Sequence, residues 1–288
     1  MTTEDVRKAD LHSHTVASDG VYTPEELLAR AADAGLWALG VSDHDALGSI
    51  PQAREAGRKA GVEVFPGVEL STRYVPASGE HLDIHILGLL LDGGSEADLA
   101  RLDAHLAERR AQRLGRGREM VERLRKAGVD ITWEEVEGEA AGGSVGRPHV
   151  GRVLVRHGLA ADLDDAFSRY LSPGRPAYVE QAPLSVAEAA QWIRGSGGAV
   201  IWAHPGLAGF DPATCPWTDL LDGVEVDHPK HDAATRASLR ALAERWNLVP
   251  TGGSDCHGTK GREDVGVCTT PEPLVRELAA RAAARRRR

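Results

Sequence analysis

Lys8-Ala9-Asp10-Leu11-His12-Ser13-His14-Thr15, with Ser18-Asp19-Gly20 close behind, is the stretch on which the reading of the fold turns. It reads as a short strand running out into a loop. Along an extended chain alternate side chains point the same way, so His12 and His14 share a face with Asp10. Two imidazoles on one face at a strand end can chelate a single divalent metal. A His-x-His pair also arises by chance in surface turns. What the rest of the chain places beside it decides between the two.

Outward from this stretch the chain alternates helix and strand. Thr23-Pro24-Glu25-Glu26 predicts a helix start, with Thr23 as cap, Pro24 at the first position and Glu26 closing a capping box. Residues 36–41 read as a buried strand ending in Ser42-Asp43-His44-Asp45. A helix over 51–60 follows, then a strand over 62–68 ending at Glu69. A strand around 81–89 alternates polar and apolar residues. Such βαβ rhythm predicts a parallel sheet. After residue 179 it resumes. A helix over 185–196 precedes a strand ending in His204-Pro205-Gly206. A strand over 223–227 ends in His228-Pro229, and a helix over 233–247 leads to Ser254-Asp255-Cys256-His257. A last strand near Val265-Gly266-Val267 and a terminal helix are expected.

The rhythm breaks over 95–179. A long helical stretch carries Leu99, Leu102 and Leu106, then Met120, Val121 and Leu124. Its remaining faces hold many arginines, among them Arg109, Arg113 and Arg116, which read as a solvated surface. Gly115 and Gly117 are expected to interrupt it. Thr132-Trp133-Glu134-Glu135 and Arg147-Pro148-His149 open further helices. The division expected is therefore a barrel from 1–94 and 180–288, with 95–179 as an all-helical insertion.

The 288-residue length fits one large α/β domain with an insertion. A net charge of −9 argues against a protein that coats nucleic acid. Cys215, Cys256 and Cys268 form no CxxC pair and no disulfide framework, which points to a reducing, cytoplasmic setting. No apolar run is long enough to span a bilayer, and nothing in the chain calls for an obligate protein partner. The run Arg285–Arg288 reads as a frayed, solvated helix end.

Seven candidate strands each finish in a possible ligand: His12 and His14, Asp43 and His44, Glu69, His85, His204, Glu225 and His228, Asp255 and His257. In a parallel α/β barrel the C-terminal strand ends gather at one face, so the pattern predicts one cluster of imidazoles and carboxylates. Mixed His and carboxylate donors suit Zn²⁺, Mn²⁺ or Fe²⁺. The donors outnumber the roughly four to six that one ion takes, so two or three divalent ions are implied.

As an ordered set, His12-Ser13-His14, Ser18-Asp19-Gly20, Ser42-Asp43-His44-Asp45, Gly67-Val68-Glu69, His85-Ile86-Leu87-Gly88, Ala203-His204-Pro205-Gly206 and Ser254-Asp255-Cys256-His257 resemble the motif series of the PHP (polymerase and histidinol phosphatase) metallo-phosphoesterases. The resemblance implies a distorted (β/α)7, TIM-barrel-like fold with a trinuclear metal centre. By position it assigns His12, His14, bridging Glu69 and Asp255 to one ion, Glu69, His85 and His204 to a second, and Asp19, His44 and His257 to a third. His85 is preferred to His81 because it directly precedes Ile86-Leu87-Gly88. Glu69, His204 and His257 are the residues expected at the reaction itself, and Asp43 is expected to orient a ligand.

Within the family, Gly146-Arg147-Pro148-His149, residues 170–179 and Glu225-Val226-Asp227-His228-Pro229 are similar to members that hydrolyse nucleoside 3′,5′-bisphosphates and the 5′ ends of short RNAs. There the insertion caps the barrel mouth. That likeness assigns substrate phosphate to Arg147 and His228, with Arg175 as a further clamp. It implies a phosphatase acting on a small nucleotide or short oligonucleotide. The alternatives are a histidinol phosphate phosphatase and a 5′-3′ exonuclease of longer nucleic acid.

Overall fold

Eight strands line up in the order β7-β6-β5-β4-β3-β2-β1-β8: β1 (Lys8–Asp10), β2 (Ala38–Val41), β3 (Glu63–Tyr74), β4 (Leu82–Leu89), β5 (Ala199–Trp202), β6 (Gly223–Asp227), β7 (Val249–Gly252) and β8 (Thr270–Pro271). The structure, a computed structural model, describes residues 6–76, 79, 81–258 and 264–286. The sheet curls into a nearly closed barrel. Leu11 N donates to Gly252 O at 3.3 Å and Asp255 N to His12 O at 2.9 Å, tying the exit of β1 to that of β7.

Two features depart from a seven-stranded parallel barrel. β8 replaces the strand expected near Val265 and pairs antiparallel with β1. β4 runs antiparallel to both β3 and β5. The physical reason is the length of the link. Only residues 75–81 join β3 to β4, too few for the crossover of about a dozen residues that a parallel return requires. The reversal matters for the site. His85 lies in the first half of β4, opposite Ser71, so an antiparallel strand brings it to the face where the other strands end.

Helices α1 (Pro24–Asp33), α2 (Ile50–Ala60), α7 (Val186–Gly195), α8 (Ala233–Arg245) and α9 (Glu272–Arg286) surround the sheet. The capping box of Thr23 and Glu26 forms as the sequence predicts. Strand residues alternate between two apolar clusters. Val41, Val200, Trp202 and Val224 pack with Leu27 and Leu28 of α1, while Leu11, Phe65, Leu87, Ile201 and Val249 pack with Val275 and Leu278 of α9.

Between β4 and β5 come α3 (Glu96–Lys126), α4 (Trp133–Ala140), α5 (Arg147–Arg156), α6 (Leu163–Ala166) and a π-helical turn, Phe167–Leu171. They share a third apolar cluster, centred on Met120, Leu124, Val136, Val150 and Leu154. Contrary to expectation, α3 runs unbroken through Gly115 and Gly117. Gly117 is there for close packing, since a Cβ on it would sit 3.0 Å from the Trp133 and Val145 side chains. The C-terminal arginines also depart from a purely solvated end. Arg285 donates to both carboxylate oxygens of Asp222, while Arg287 and Arg288 lie outside the described residues. Among the described residues, no helix is long and apolar enough to cross a membrane.

Candidate metal centre

At the strand exits the backbone ladder does not stop; it continues through the ligand loops. His14 N donates to Cys256 O, Ser42 N to Ser13 O and Glu69 N to Asp43 O, at 2.9–3.2 Å. Each ligand segment is therefore registered to its neighbour by main-chain bonds, and its side chains arrive already aimed. His204, Asp255 and Asp45 adopt left-handed backbone angles, with φ of 30°, 50° and 50°. Such strain in residues with a Cβ persists where surrounding structure enforces it, typically at functional sites.

The side chains converge in three overlapping sets whose donor atoms lie within 4.8 Å of one another: His12, His14, Glu69 and Asp255; His44, Glu69 and His85; and His14, Asp19, His44 and His257. In the first, the Nε2 atoms of His12 and His14 are 3.1 Å apart, and His14 Nε2 lies 3.1 Å from Glu69 Oε2 and 3.2 Å from Asp255 Oδ1. In the second, Glu69 Oε1 faces His85 Nδ1 at 2.7 Å, and His204, outside the three sets, brings Nε2 to the same oxygen at 3.0 Å. In the third, His257 Nε2 lies 3.2 Å from Asp19 Oδ1, and His44 Nε2 lies 3.8 Å from Asp19 Oδ2. The two oxygens of Glu69 thus face different imidazoles, the geometry of a bridge. All nine ligand candidates come together. His81 is exposed and faces Glu180 at 3.6 Å instead.

A ring of partners orients these ligands. Glu225 accepts from His12 Nδ1 at 3.1 Å, and its other oxygen accepts from His204 N at 2.7 Å. His12 Nδ1 is then the protonated nitrogen, and Nε2 turns its lone pair to the centre. His257 Nδ1 donates to Asp255 O at 2.8 Å with the same result. Asp43 accepts from Thr15 N, Thr15 Oγ1, Ser18 Oγ and Ser49 Oγ, so it anchors the loop between His14 and Asp19 and touches no ligand imidazole directly. His228 is buried, with Nε2 3.4 Å from Asp255 Oδ2 and Nδ1 accepting from Lys230 N.

Charge explains why this arrangement suits a cation. Burial disfavours protonation of His12, yet Glu69, Glu225 and Asp255 carry it well above its ordinary range. Burial opposes His14 as well, but hydrogen bonds to Asp255 and Glu69 bring it up to about 10. Burial would raise Asp19, Glu69 and Asp255, and the imidazoles hold all three well below the usual carboxylate range. His44 goes the other way, pushed down by burial to about 3 against the pull of Glu69 and Asp19. Buried His44 Nδ1 and His85 Nδ1 form no hydrogen bond among the described residues, although each lies within 3.3 Å of a Glu69 oxygen. Lone pairs set face to face around clustered carboxylates fit divalent ions, which would displace the protons held there.

A cavity of about 210 Å³ opens over the ligands. Its floor includes His44, Glu69, His85 and His204, and its walls bring in four cations: Arg113 and Arg116 from α3, Arg147 from α5 and Lys230 after β6. Arg147 was expected here. Arg113, Arg116 and Lys230 were not. Arg109, Arg113 and Arg116, read as solvated, are only 4%, 6% and 9% exposed. Their spacing carried the signal: they continue, every three or four residues, the buried line of Leu102, Leu106, Met120 and Leu124. Arg113 Nε meets Asp45 Oδ2 at 2.6 Å, and Arg109 donates to Ala182 O and Ser71 O. Arg175 stands in an exposed turn outside the cavity lining, and His228 lies behind Asp255 rather than in the lining. A larger cavity, about 420 Å³, sits behind Thr15–Ala17 and gathers no cluster of imidazoles and carboxylates.

Residues 10–130 match the PHP domain family. The chain is 37% identical over 259 residues to the 5′-3′ exoribonuclease Rnm of Salmonella typhimurium, covering 86% of this chain and 84% of that protein. It is 33% identical over 289 residues to the 3′,5′-nucleoside bisphosphate phosphatase of Chromobacterium violaceum, covering 94% and 96%. Among solved structures, a putative metal-dependent phosphoesterase from Bifidobacterium adolescentis superposes with a TM-score of 0.81 at 32% identity, over 95% of this chain and 96% of that one.

Proposed function

Because this chain belongs to the PHP family of metal-dependent phosphoesterases, we propose that it removes the 3′-phosphate of nucleoside 3′,5′-bisphosphates, taking 3′,5′-adenosine bisphosphate to AMP. The 5′ ends of short RNAs are a second substrate class. The observation that carries this reading is one small cavity that opens over clustered metal donors and has arginines on its wall. The relatives' names supply the nucleotide. A cavity this narrow receives the end of a chain rather than the middle of a strand, which favours a terminal phosphate over an internal one.

Two or three divalent ions, Mn²⁺, Zn²⁺ or Fe²⁺, would be held by His12, His14, Glu69 and Asp255, by Glu69, His85 and His204, and by Asp19, His44 and His257. When bound they supply a nucleophilic hydroxide near neutral pH and neutralise phosphoryl charge. Glu69 holds two of the sets together. Arg147 lies 3.4 Å from Asp83 and over the Phe167 ring, and this fixes its guanidinium at the wall to grip a substrate phosphate. His204 and His257 turn their Nε2 atoms to carboxylates of the centre. As ligands they position the reacting phosphate and are not spare acids, so the leaving oxygen takes its proton from solvent. His228 braces Asp255 rather than touching phosphate. Residues 95–179, with an apolar cluster of their own, act as a helical cap on the barrel formed by 1–94 and 180–288. The described cysteines are all unpaired, in keeping with a cytoplasmic setting.

Phosphate release from 3′,5′-adenosine bisphosphate by protein loaded with each metal is the test. No release with any of them rejects the substrate. Running histidinol phosphate and 5′-phosphorylated oligoribonucleotides of increasing length beside it separates the alternatives.

A further inference from the structure

We propose that Arg116 is a substrate-reading residue that binds a second phosphate, the one the enzyme does not cleave. The inference rests on the nucleotide reading above and names the group that makes a doubly charged substrate preferable to a singly charged one.

Charge is unevenly matched along the cavity wall. Arg116 is 9% exposed and lines the cavity above the metal donors. Its Nε donates to Val179 O at 2.8 Å and its Nη1 to Gln181 Oε1 at 3.1 Å, both neutral acceptors. The other arginines of this region have carboxylates: Arg113 has Asp45 at 2.6 Å, Arg109 has the same Asp45 at 3.9 Å, and Arg147 has Asp83 at 3.4 Å. Among the described residues, no carboxylate oxygen lies within 4.0 Å of Arg116. Burial first, then the nearby Arg147 and Arg113, pull its guanidinium down to about 9 against the weaker opposing pull of Asp83. A buried cation with no carboxylate in contact is costly, and an anion from outside would complete it.

The geometry limits what that anion is. The scissile phosphate belongs on the floor, against His85 and His204, while Arg116 stands on the α3 wall beside Arg147. One ligand reaching both places carries two anionic groups, as a nucleoside 3′,5′-bisphosphate does, or the first and second phosphates of a short RNA. Nη2 makes no hydrogen bond to a described residue, so the outer edge of the guanidinium is open to phosphate oxygens. The amino group of histidinol phosphate would instead meet like charge.

The test compares two ligands that differ only by that phosphate. AMP and adenosine are titrated calorimetrically into the Mn²⁺-loaded full-length protein. Wild type is expected to bind AMP far more tightly than adenosine, and Arg116→Gln to lose the difference by on the order of 10²-fold. Arg125→Ala, an exposed charge on the same helix, is expected to keep it. In turnover, Arg116→Gln should lower kcat/KM for 3′,5′-adenosine bisphosphate and leave adenosine 3′-phosphate within a few-fold of wild type. A purely structural role for Arg116 would weaken both ligands and both substrates together, and that result overturns the proposal. So does an unchanged preference for AMP. Arg116→Lys, which keeps the charge and loses the fork, should retain part of the preference and covers the case in which the Gln variant is unstable. If wild type cleaves neither substrate, the proposed function fails, and the AMP-to-adenosine ratio still decides the role of Arg116.

Discussion

The floor of the cavity and its α3 wall are both built from buried charge, and the fold holds the two in opposite ways. On the floor, imidazoles and carboxylates face one another at 2.7–3.8 Å with few other partners, so the chemistry is concentrated and waits on a cation. On the wall, Arg109 and Arg113 are tied to main-chain carbonyls and to Asp45, so these guanidiniums are spent as struts between α3 and the barrel. The floor therefore depends on electrostatics within itself, while the wall depends on contacts that cross between two parts of the chain. Arg116 is the exception on the wall, bonded only to neutral groups.

The largest effect should come from the floor. Glu69 faces His12, His14, His44, His85 and His204 at once, so Glu69→Gln removes a charge shared by two of the three sets. We expect a loss on the order of 10³-fold or more in kcat/KM, with fewer ions retained after gel filtration. Full activity with full metal content would end the bridged reading.

On the wall the expected cost appears in stability. Arg113→Met leaves the fully buried Asp45 with only the more distant Arg109, which should cost about 3–5 kcal/mol in denaturant unfolding. Adding Asp45→Asn should recover much of it. A double variant no better than the single one would mean that the pair is not what joins α3 to the barrel.

Chelation tests the same contrast without mutation. Ions present at about 100 times their dissociation constant stabilise a fold by roughly 2.7 kcal/mol, so their removal should lower Tm by roughly 5–10 °C. Arg113→Met should change that increment less than Glu69→Gln does, because it removes no ligand side chain. A Tm indifferent to chelation would mean that the donors do not hold ions at these concentrations.

How legible each region is in the sequence follows from the same difference. Floor residues sit at the ends of apolar strand segments, where period-2 patterning and turn residues mark them, and His12, Asp19, Glu69 and Asp255 can be picked out one by one. The direction of β4 is not written in its pattern, because an alternating strand looks the same running either way; only the short 75–81 link betrays it. The wall arginines hide for another reason. An arginine in a helix is read as surface by its charge, although in α3 the register with Leu106 and Met120 outweighs the charge. Arg175 shows the converse, since a plausible residue type beside a plausible motif stands in an exposed turn outside the cavity lining. Glu225 was visible as one more strand end, while its role became apparent only once His12 Nδ1 was seen to donate to it.

The smallest effect should arise where the two regions touch. His149 of α5 accepts from Gly146 N at 2.9 Å through Nδ1 and donates to Ser18 O at 2.8 Å through Nε2. Arg152 reaches Asp19 O at 3.1 Å, and Ser144 N donates to Ala17 O at 2.8 Å. The helical segment thus clasps the 15–19 loop, and that loop supplies the Asp19 set while leaving His12, Glu69 and Asp255 to the strands. His149→Ala removes two bonds worth about 1 kcal/mol each, so a global loss of about 1–3 kcal/mol is expected. The more telling consequence is selective. In a competitive chelator titration the most weakly held ion should leave roughly tenfold earlier, with the others unmoved. Uniform weakening of every ion would place the clasp's influence on the barrel as a whole. A selective loss makes the cap a partner in holding one ion, through a histidine that touches no ligand side chain.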